Sequence, residues 1–242
     1  MSRSGRATRA GDLLALARRS PPAFALNQRR VRLEARRGAP RWALRAARGP
    51  RDRAIALSYD DGPSPANTPE LLEILASAGA RATFFVLGSE VDAHPELAAR
   101  IVAAGHELGN HSFTHVHARR LDASGLRGEL ERASGAIAAV APPTRLFRPP
   151  FGKLPRRGAR VCEELGLTTV LWSVDSGDTM RFSAARIARE VVARVEPGDI
   201  VLMHDGGDRR PRTLEATRVV LEQLARRGYS FVTVSELLAG AT

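Results

Sequence analysis

Ala54-Ile55-Ala56-Leu57-Ser58-Tyr59-Asp60-Asp61-Gly62-Pro63 is the stretch that orders the rest of the chain. A short apolar run closed by Gly-Pro has the pattern of a buried strand ending in a sharp bend. Two adjacent carboxylates at such a bend raise each other's pKa unless a cation lies beside them. Successive strand side chains point to opposite sides, so Asp60 and Asp61 are expected to do different jobs, one of them facing a metal or a base. A solvated turn with a helix cap is the plainer alternative, and this segment alone leaves both open.

Strand-like and helix-like pieces alternate downstream. Strands are expected over 54–59, 82–87, 106–109, 145–148, 168–174, 198–203 and 229–234. Helices are expected over 69–78, 95–104, 121–141, 154–165, 183–195 and 214–227, with a short one at 235–238. Gly79, Gly105, Gly166 and Gly228 stand as stops, and Ser183 as a cap. Repeated strand–helix units imply parallel strands joined by right-handed crossovers, and about seven of them make a barrel or a partly open barrel. Chemistry in that architecture gathers at the C-terminal ends of strands. Asp60 and Asp61, His111 and His115, Arg148, Asp175 and Asp178, and His204 with Asp205 each follow a different strand, so the candidates share one rim.

His111-Ser112-Phe113-Thr114-His115 sets two imidazoles four residues apart, on one face if the segment forms a helical turn. With one carboxylate they make three ligands and an open position, the pattern of a hydrolytic metal. Such a metal polarises a carbonyl and acidifies water. His106 reads as strand-embedded and His117 as a surface residue. Cys162 is the only cysteine, which excludes an intramolecular disulfide and a Cys-rich zinc site, and it reads as a bystander on a helix.

Charge is unevenly spread over the 242 residues. Residues 1–53 carry fifteen Arg against Asp12, Glu34 and Asp52, a net of +12, whereas the whole chain carries +11. The remaining residues therefore sum to −1. The basic segment suits an anionic polymer, a membrane surface or an acidic protein, or is a solvated leader without a role. Within it, residues 1–28 read as mobile, 30–35 as a short exposed strand and 36–53 as a basic linker. Nothing in the pattern calls for nucleic acid, and oligomeric state is not legible. No apolar run reaches the roughly 18–20 residues of a membrane span. Leu13 to Ala17 is too short for a signal core, so the expected location is cytoplasmic, with export left open.

The motifs together resemble the polysaccharide deacetylase family, the NodB-homology domain of carbohydrate esterase family 4. Ser58-Tyr59-Asp60-Asp61-Gly62-Pro63 resembles its T-F-D-D-G-P motif, and His111 to His115 its H-[S/T]-x-x-H motif. Arg148-Pro149-Pro150-Phe151-Gly152 is similar to R-x-P-[F/Y]-[G/R], and Asp175-Ser176-Gly177-Asp178-Thr179 to D-x-x-D-W except at its last residue. Leu202-Met203-His204 looks like the leucine–histidine motif, and the resemblance runs over roughly residues 54–238 in the family's order.

The resemblance implies a deformed (β/α)7-type barrel, preceded here by the basic extension. It implies removal of N-acetyl groups from an amino sugar with a divalent metal, commonly zinc, with cobalt or nickel as alternatives. Carried over by position, Asp61, His111 and His115 hold the metal, Asp60 is the general base and His204 the general acid. Arg148 pairs with Asp60, or else closes the barrel as a salt bridge. Asp175 orients His204. The Phe151 amide, after Pro149 and Pro150, shares the oxyanion with the metal. Leu202 lines the acetyl pocket, Asp178 reads as a cap or support and Asp205 as a supporting loop residue. Thr179 replaces the usual aromatic of that pocket, with Trp172 or Phe182 as substitutes. Trp172 itself reads as core. Two alternatives stay open: the same metal chemistry on another amide or acyl group, and an inactive barrel that holds an anionic polymer through its arm.

Overall fold

The computed structural model describes residues 53–240, together with Phe24, Leu26 and Gln28 and the backbone of a two-residue strand, β1 (Ala43–Leu44). The apolar run before the acidic pair forms the central strand, β2 (Ala54–Asp60), buried from Ile55 onward. Burial on both faces is what a parallel strand covered by helices requires, and it explains the absence of polar alternation.

From β2 the chain steps outward through α1 (Thr68–Ser77), β3 (Ala82–Val86), α2 (Gly88–Ala93), α3 (Pro95–Ala103), β4 (Glu107–Asn110), α4 (Ala123–Ala138), β5 (Leu146–Phe147), α5 (Arg156–Glu164) and β6 (Thr168–Val170). It then crosses to the other side of β2 with β7 (Val174–Asp175), α6 (Ala184–Val192), β8 (Ile200–His204), α7 (Pro211–Ala225), β9 (Ser230–Phe231) and α8 (Val234–Ala239). All pairings are parallel, in the order β1-β6-β5-β4-β3-β2-β8-β7, and β9 pairs with the start of β2. Among the described residues the path ends at β1 and β7 without closing, so the (β/α) barrel is deformed and open, as the resemblance implied. No helix among the described residues is long and apolar enough to cross a membrane.

Local signals explain most boundaries. The expected stops Gly79, Gly105, Gly166 and Gly228 all adopt positive φ, which glycine takes without a Cβ clash. Ser183 caps α6 by accepting from Arg186 N at 3.3 Å. Four expectations need correction. α2 was not expected, because its six residues are too few for a periodic signal. The single strand expected over 168–174 is two, β6 and β7, with residues 171–173 bending between them. The linker expected at 36–53 supplies β1, paired with β6. Within the segment read as mobile, Phe24 and Gln28 are buried. Gln28 Nε2 donates to Asp175 O and its Oε1 accepts from Asp175 N, so a side-chain amide completes the exposed edge of β7. Phe24 packs edge-on against Phe182 at 5.3 Å. The strand expected at 30–35 lies outside the described residues.

Asn67 clamps the loop after β2 to the loop after β8. It is 1% exposed. Its Nδ2 donates to Asp205 O at 2.9 Å and Asp208 O at 3.0 Å, and its Oδ1 accepts from Arg210 N at 2.8 Å. Asn67→Ala would strand the buried Asp205 carbonyl and remove the part-buried bonds to Asp208 O and Arg210 N, and an unmet buried group costs about 1–3 kcal/mol. A urea titration of Asn67→Ala is therefore expected to lose about 2–4 kcal/mol at unchanged m-value.

Candidate active site

Asp60 ends β2, and the strand registers decide what stands beside it. Asp60 lies opposite His204 on β8 and opposite Phe85 on β3. The chain then turns at Asp61, whose φ is +74°, and this turn separates the two carboxylates as their adjacency predicted. Asp60 Oδ1 accepts from Arg148 Nη1 at 2.6 Å, while Oδ2 lies 3.8 Å from His111 Nε2. Asp61 Oδ1 faces both histidines instead, 3.4 Å from His111 Nε2 and 3.2 Å from His115 Nε2.

The histidines sit on a loop, not on the helical turn the spacing suggested. Ser112 and His115 both have positive φ, +67° and +59°, which no helix allows. One neighbouring and one distant side chain hold that loop. Asn110 Oδ1 accepts from Ser112 N at 2.8 Å while its Nδ2 donates to Leu130 O at 2.9 Å. Glu129 on α4 accepts from Phe113 N at 3.0 Å and Thr114 N at 2.8 Å. Gly88 lies so close beneath that a Cβ there would meet Phe113 Cδ2 at 2.5 Å.

Asp61, His111 and His115 each offer one atom within 4.8 Å of the others'. His111 Nδ1 bonds Arg148 O at 2.7 Å. A carbonyl only accepts, so Nδ1 carries the proton and Nε2 presents a lone pair. Asp61 Oδ1 is buried with no hydrogen-bond partner. Lone pairs converging without a proton between them repel unless a cation lies among them, and two imidazoles with a carboxylate suit a divalent transition metal.

Arg148 touches both Asp60 and the barrel seam, the two places its alternative readings put it. It is fully buried. Besides Asp60, Nη1 donates to Ser58 Oγ at 2.9 Å. Nε and Nη2 reach Val170 O at 3.4 Å and Leu171 O at 3.3 Å, the carbonyls freed where β6 gives way to β7. Burial lowers its pKa from the ordinary arginine value, and Asp60 works against that fall.

The partner of His204 is Asp178, not Asp175. Asp175 lies opposite Leu202 in the β7–β8 register, two residues short of His204, and its carboxylate accepts from Gly177 N at 2.9 Å. The turn after β7 carries Asp178 to the level of His204. There Oδ1 bonds His204 Nδ1 at 2.9 Å, and Oδ2 accepts from His204 N at 2.9 Å and Thr213 Oγ1 at 3.1 Å. Burial alone would lower the His204 pKa, but Asp178, with Asp60 and Asp61 nearby, outweighs it and raises the imidazole to about 9. Asp205 supports the acidic turn from behind: a Cβ on Gly62 would sit 2.5 Å from both its oxygens, and Thr68 Oγ1 donates to Oδ2 at 2.5 Å. Burial, with Asp61 and Asp60 close, pushes the Asp205 carboxyl up to about 7.

Phe151 is 56% exposed, with φ at +61°. Its ring meets His115 edge-on at 4.7 Å and stacks on His117 at 5.2 Å. His117 is therefore half-buried at the site and not a free surface residue. Pro150 and Leu202 are buried, and Thr179 is exposed in the turn after Asp178. Trp172 packs under the Phe151 turn, where a Cβ on Gly152 would be 2.5 Å from its ring. Phe182, the other proposed substitute for the missing aromatic, is occupied with Phe24 and with the Arg186 guanidinium at 3.8 Å.

The sequence matches the family described as polysaccharide deacetylase over residues 47–170. It is 38% identical over 189 residues to a Bacillus cereus protein named peptidoglycan-N-acetylglucosamine deacetylase, spanning 77% of this chain and 89% of that one. It is 36% identical over 198 residues to a Bradyrhizobium protein named chitooligosaccharide deacetylase, spanning 76% and 90%. The fold superposes with a TM-score of 0.78, at 27% identity, on a crystal structure of a peptidoglycan N-acetylglucosamine deacetylase, over 82% of this chain and 93% of that one.

The Asp178 pairing has a direct spectroscopic consequence. The His204 imidazole is expected to stay protonated through neutral pH and to titrate near pH 9, as followed by NMR of the ring protons. Asp178→Asn removes the largest opposing charge, so that midpoint moves to lower pH.

Proposed function

Because this chain belongs to the polysaccharide deacetylase family, we propose that it removes N-acetyl groups from N-acetylated amino sugars. In this reading Asp61, His111 and His115 hold a divalent metal. The observation that carries it is the register of β2 on β8, which sets Asp60 and His204 side by side at the lip of the barrel, next to the three convergent donors. Amide hydrolysis needs a base for the attacking water and an acid for a poor amine leaving group, and two separately tuned side chains supply both. The mixed nitrogen and oxygen donor set favours Zn2+, with Co2+ or Ni2+ able to take the same place.

A divalent cation bound there polarises the acetyl carbonyl and makes a water more acidic. The side chains divide the remaining work. Arg148 occupies Oδ1 of Asp60, so Oδ2, on the His111 side, is the oxygen that takes the proton from the attacking water. Asp178 holds His204 by Nδ1, leaving Nε2–H to protonate the departing amine. The Phe151 N–H supplies a donor for the developing oxyanion. Leu202 and Trp172 line the space for the acetyl methyl, and Trp172 stands in for the aromatic absent at Thr179.

The test is acetate release from N-acetylglucosamine oligomers by metal-stripped protein and by the same protein reloaded with Zn2+. Release is expected only after reloading. His204→Gln is expected to lower kcat by about 10²–10⁴-fold, the usual worth of a positioned acid or base. One metal bound per chain without acetate from any oligomer would move the substrate to another amide.

A further inference from the structure

Resting on the deacetylase reading above, we propose that Phe24 and Gln28 of the basic extension are positioning residues of the active site, holding the turn over 175–178 that sets Asp178 on His204. Phe24 and Gln28 stand four residues apart with helical backbone, a spacing that puts both side chains on one face. They are 7% and 4% exposed, whereas Leu26 between them is 69% exposed. The extension therefore presents a buried face here, and that face meets residues 175–182.

Among the described residues β7 ends the sheet, so one of its edges has no strand beside it. Ser176 N turns inward to Leu202 O on β8 at 3.2 Å. Asp175, one residue earlier, turns its N–H and carbonyl the other way, and Gln28 takes both. Oε1 accepts from Asp175 N at 3.3 Å, and Nε2 donates to Asp175 O. One buried amide thus does for Asp175 what a neighbouring strand would. Phe24 closes the next step. Gly177 has φ at +70°, and a Cβ there would lie 2.8 Å from Phe24 Cζ, so the ring lies against the turn itself.

Asp178 follows directly, and its carboxylate holds His204 by Nδ1 and by the backbone N, each at 2.9 Å. Thr179, Met180 and Arg181 after it are exposed. The next buried side chain is Phe182, whose ring packs edge-on against Phe24 at 5.3 Å. The extension thus holds the stretch that carries Asp178 on both sides of that residue, at Asp175 and Gly177 before it and at Phe182 after it. Asp178 orients the group that protonates the leaving amine in this reading, and a misplacement of about 1 Å at such a group can cost about 10²-fold in rate.

The experiment compares Phe24→Ala and Gln28→Ala with Leu26→Ala, the exposed neighbour in the same segment, each as Zn2+-loaded full chain. One readout is the solvent-exchange rate of the His204 Nδ1–H by NMR, which follows its bond to Asp178. The other is kcat and KM for acetate release from N-acetylglucosamine oligomers. In Phe24→Ala and Gln28→Ala the Nδ1–H is expected to exchange about tenfold faster and kcat to fall about tenfold. KM and the one metal per chain stay as they are, and Leu26→Ala moves neither readout. If Gln28→Ala does not fold, Phe24→Ala, which removes a ring and no hydrogen bond, carries the comparison. Exchange or kcat in these variants matching that of Leu26→Ala overturns the proposal, as does a fall in kcat without faster exchange. No acetate from the unaltered protein would instead overturn the deacetylase reading, and the exchange rates would still decide whether the extension holds Asp178 on His204.

Discussion

A buried guanidinium with four hydrogen bonds joins the parts of this site that would otherwise be independent. Arg148 pairs with Asp60, bonds Ser58, and takes the Val170 and Leu171 carbonyls released at the break between β6 and β7, while its own carbonyl receives the His111 ring. The barrel seam, the proposed base and one candidate metal ligand thus depend on one residue. Losing one partner of a buried ion pair costs about 3–5 kcal/mol, because the other is left charged and dry. The aromatic faces of Phe85 at 4.0 Å and Trp172 at 5.8 Å enclose the cation further.

Backbone strain marks the same place. Among the described residues, the non-glycine positions with positive φ are Asp61, Ser112, His115 and Phe151, all at the site. Such conformations cost of order 1–3 kcal/mol each and persist only where the surroundings over-determine them. The surroundings do so here with polar contacts to the backbone: Asn110 and Glu129 on the histidine loop, and the Asp205 and Gly206 N–H groups on Asp60 O at the acidic turn. Stability is given up to aim three donors at one point.

Much of this was legible in the sequence, for identifiable reasons. Apolar runs and glycine stops announced the alternating elements, and the rule that parallel barrels work at strand ends put Asp60, His111, Arg148 and His204 on one rim. What was not legible depended on register and on long-range polar contacts. Asp175 and Asp178 are three residues apart in one motif, and only the pairing of Asp175 with Leu202 tells which of them reaches His204. Asn67, Asn110 and Glu129 hold loops through hydrogen bonds from a polar side chain to backbone, most of them 15 or more residues away, which leave no periodic trace. The break at 171–173 was hidden because its residues are as apolar and β-favouring as a strand; Arg148, twenty-odd residues earlier, satisfies the carbonyls it frees.

The proposed division of labour between two adjacent carboxylates is the core of this account, and it can be measured directly. Metal stoichiometry and acetate release should be determined side by side for Asp60→Asn and Asp61→Asn. If Arg148 holds Asp60 for proton transfer while Asp61 faces the histidines, Asp60→Asn binds one metal per chain yet releases no acetate, and Asp61→Asn fails to retain the metal. Equal loss of metal from both variants, or loss from Asp60→Asn alone, would contradict that division.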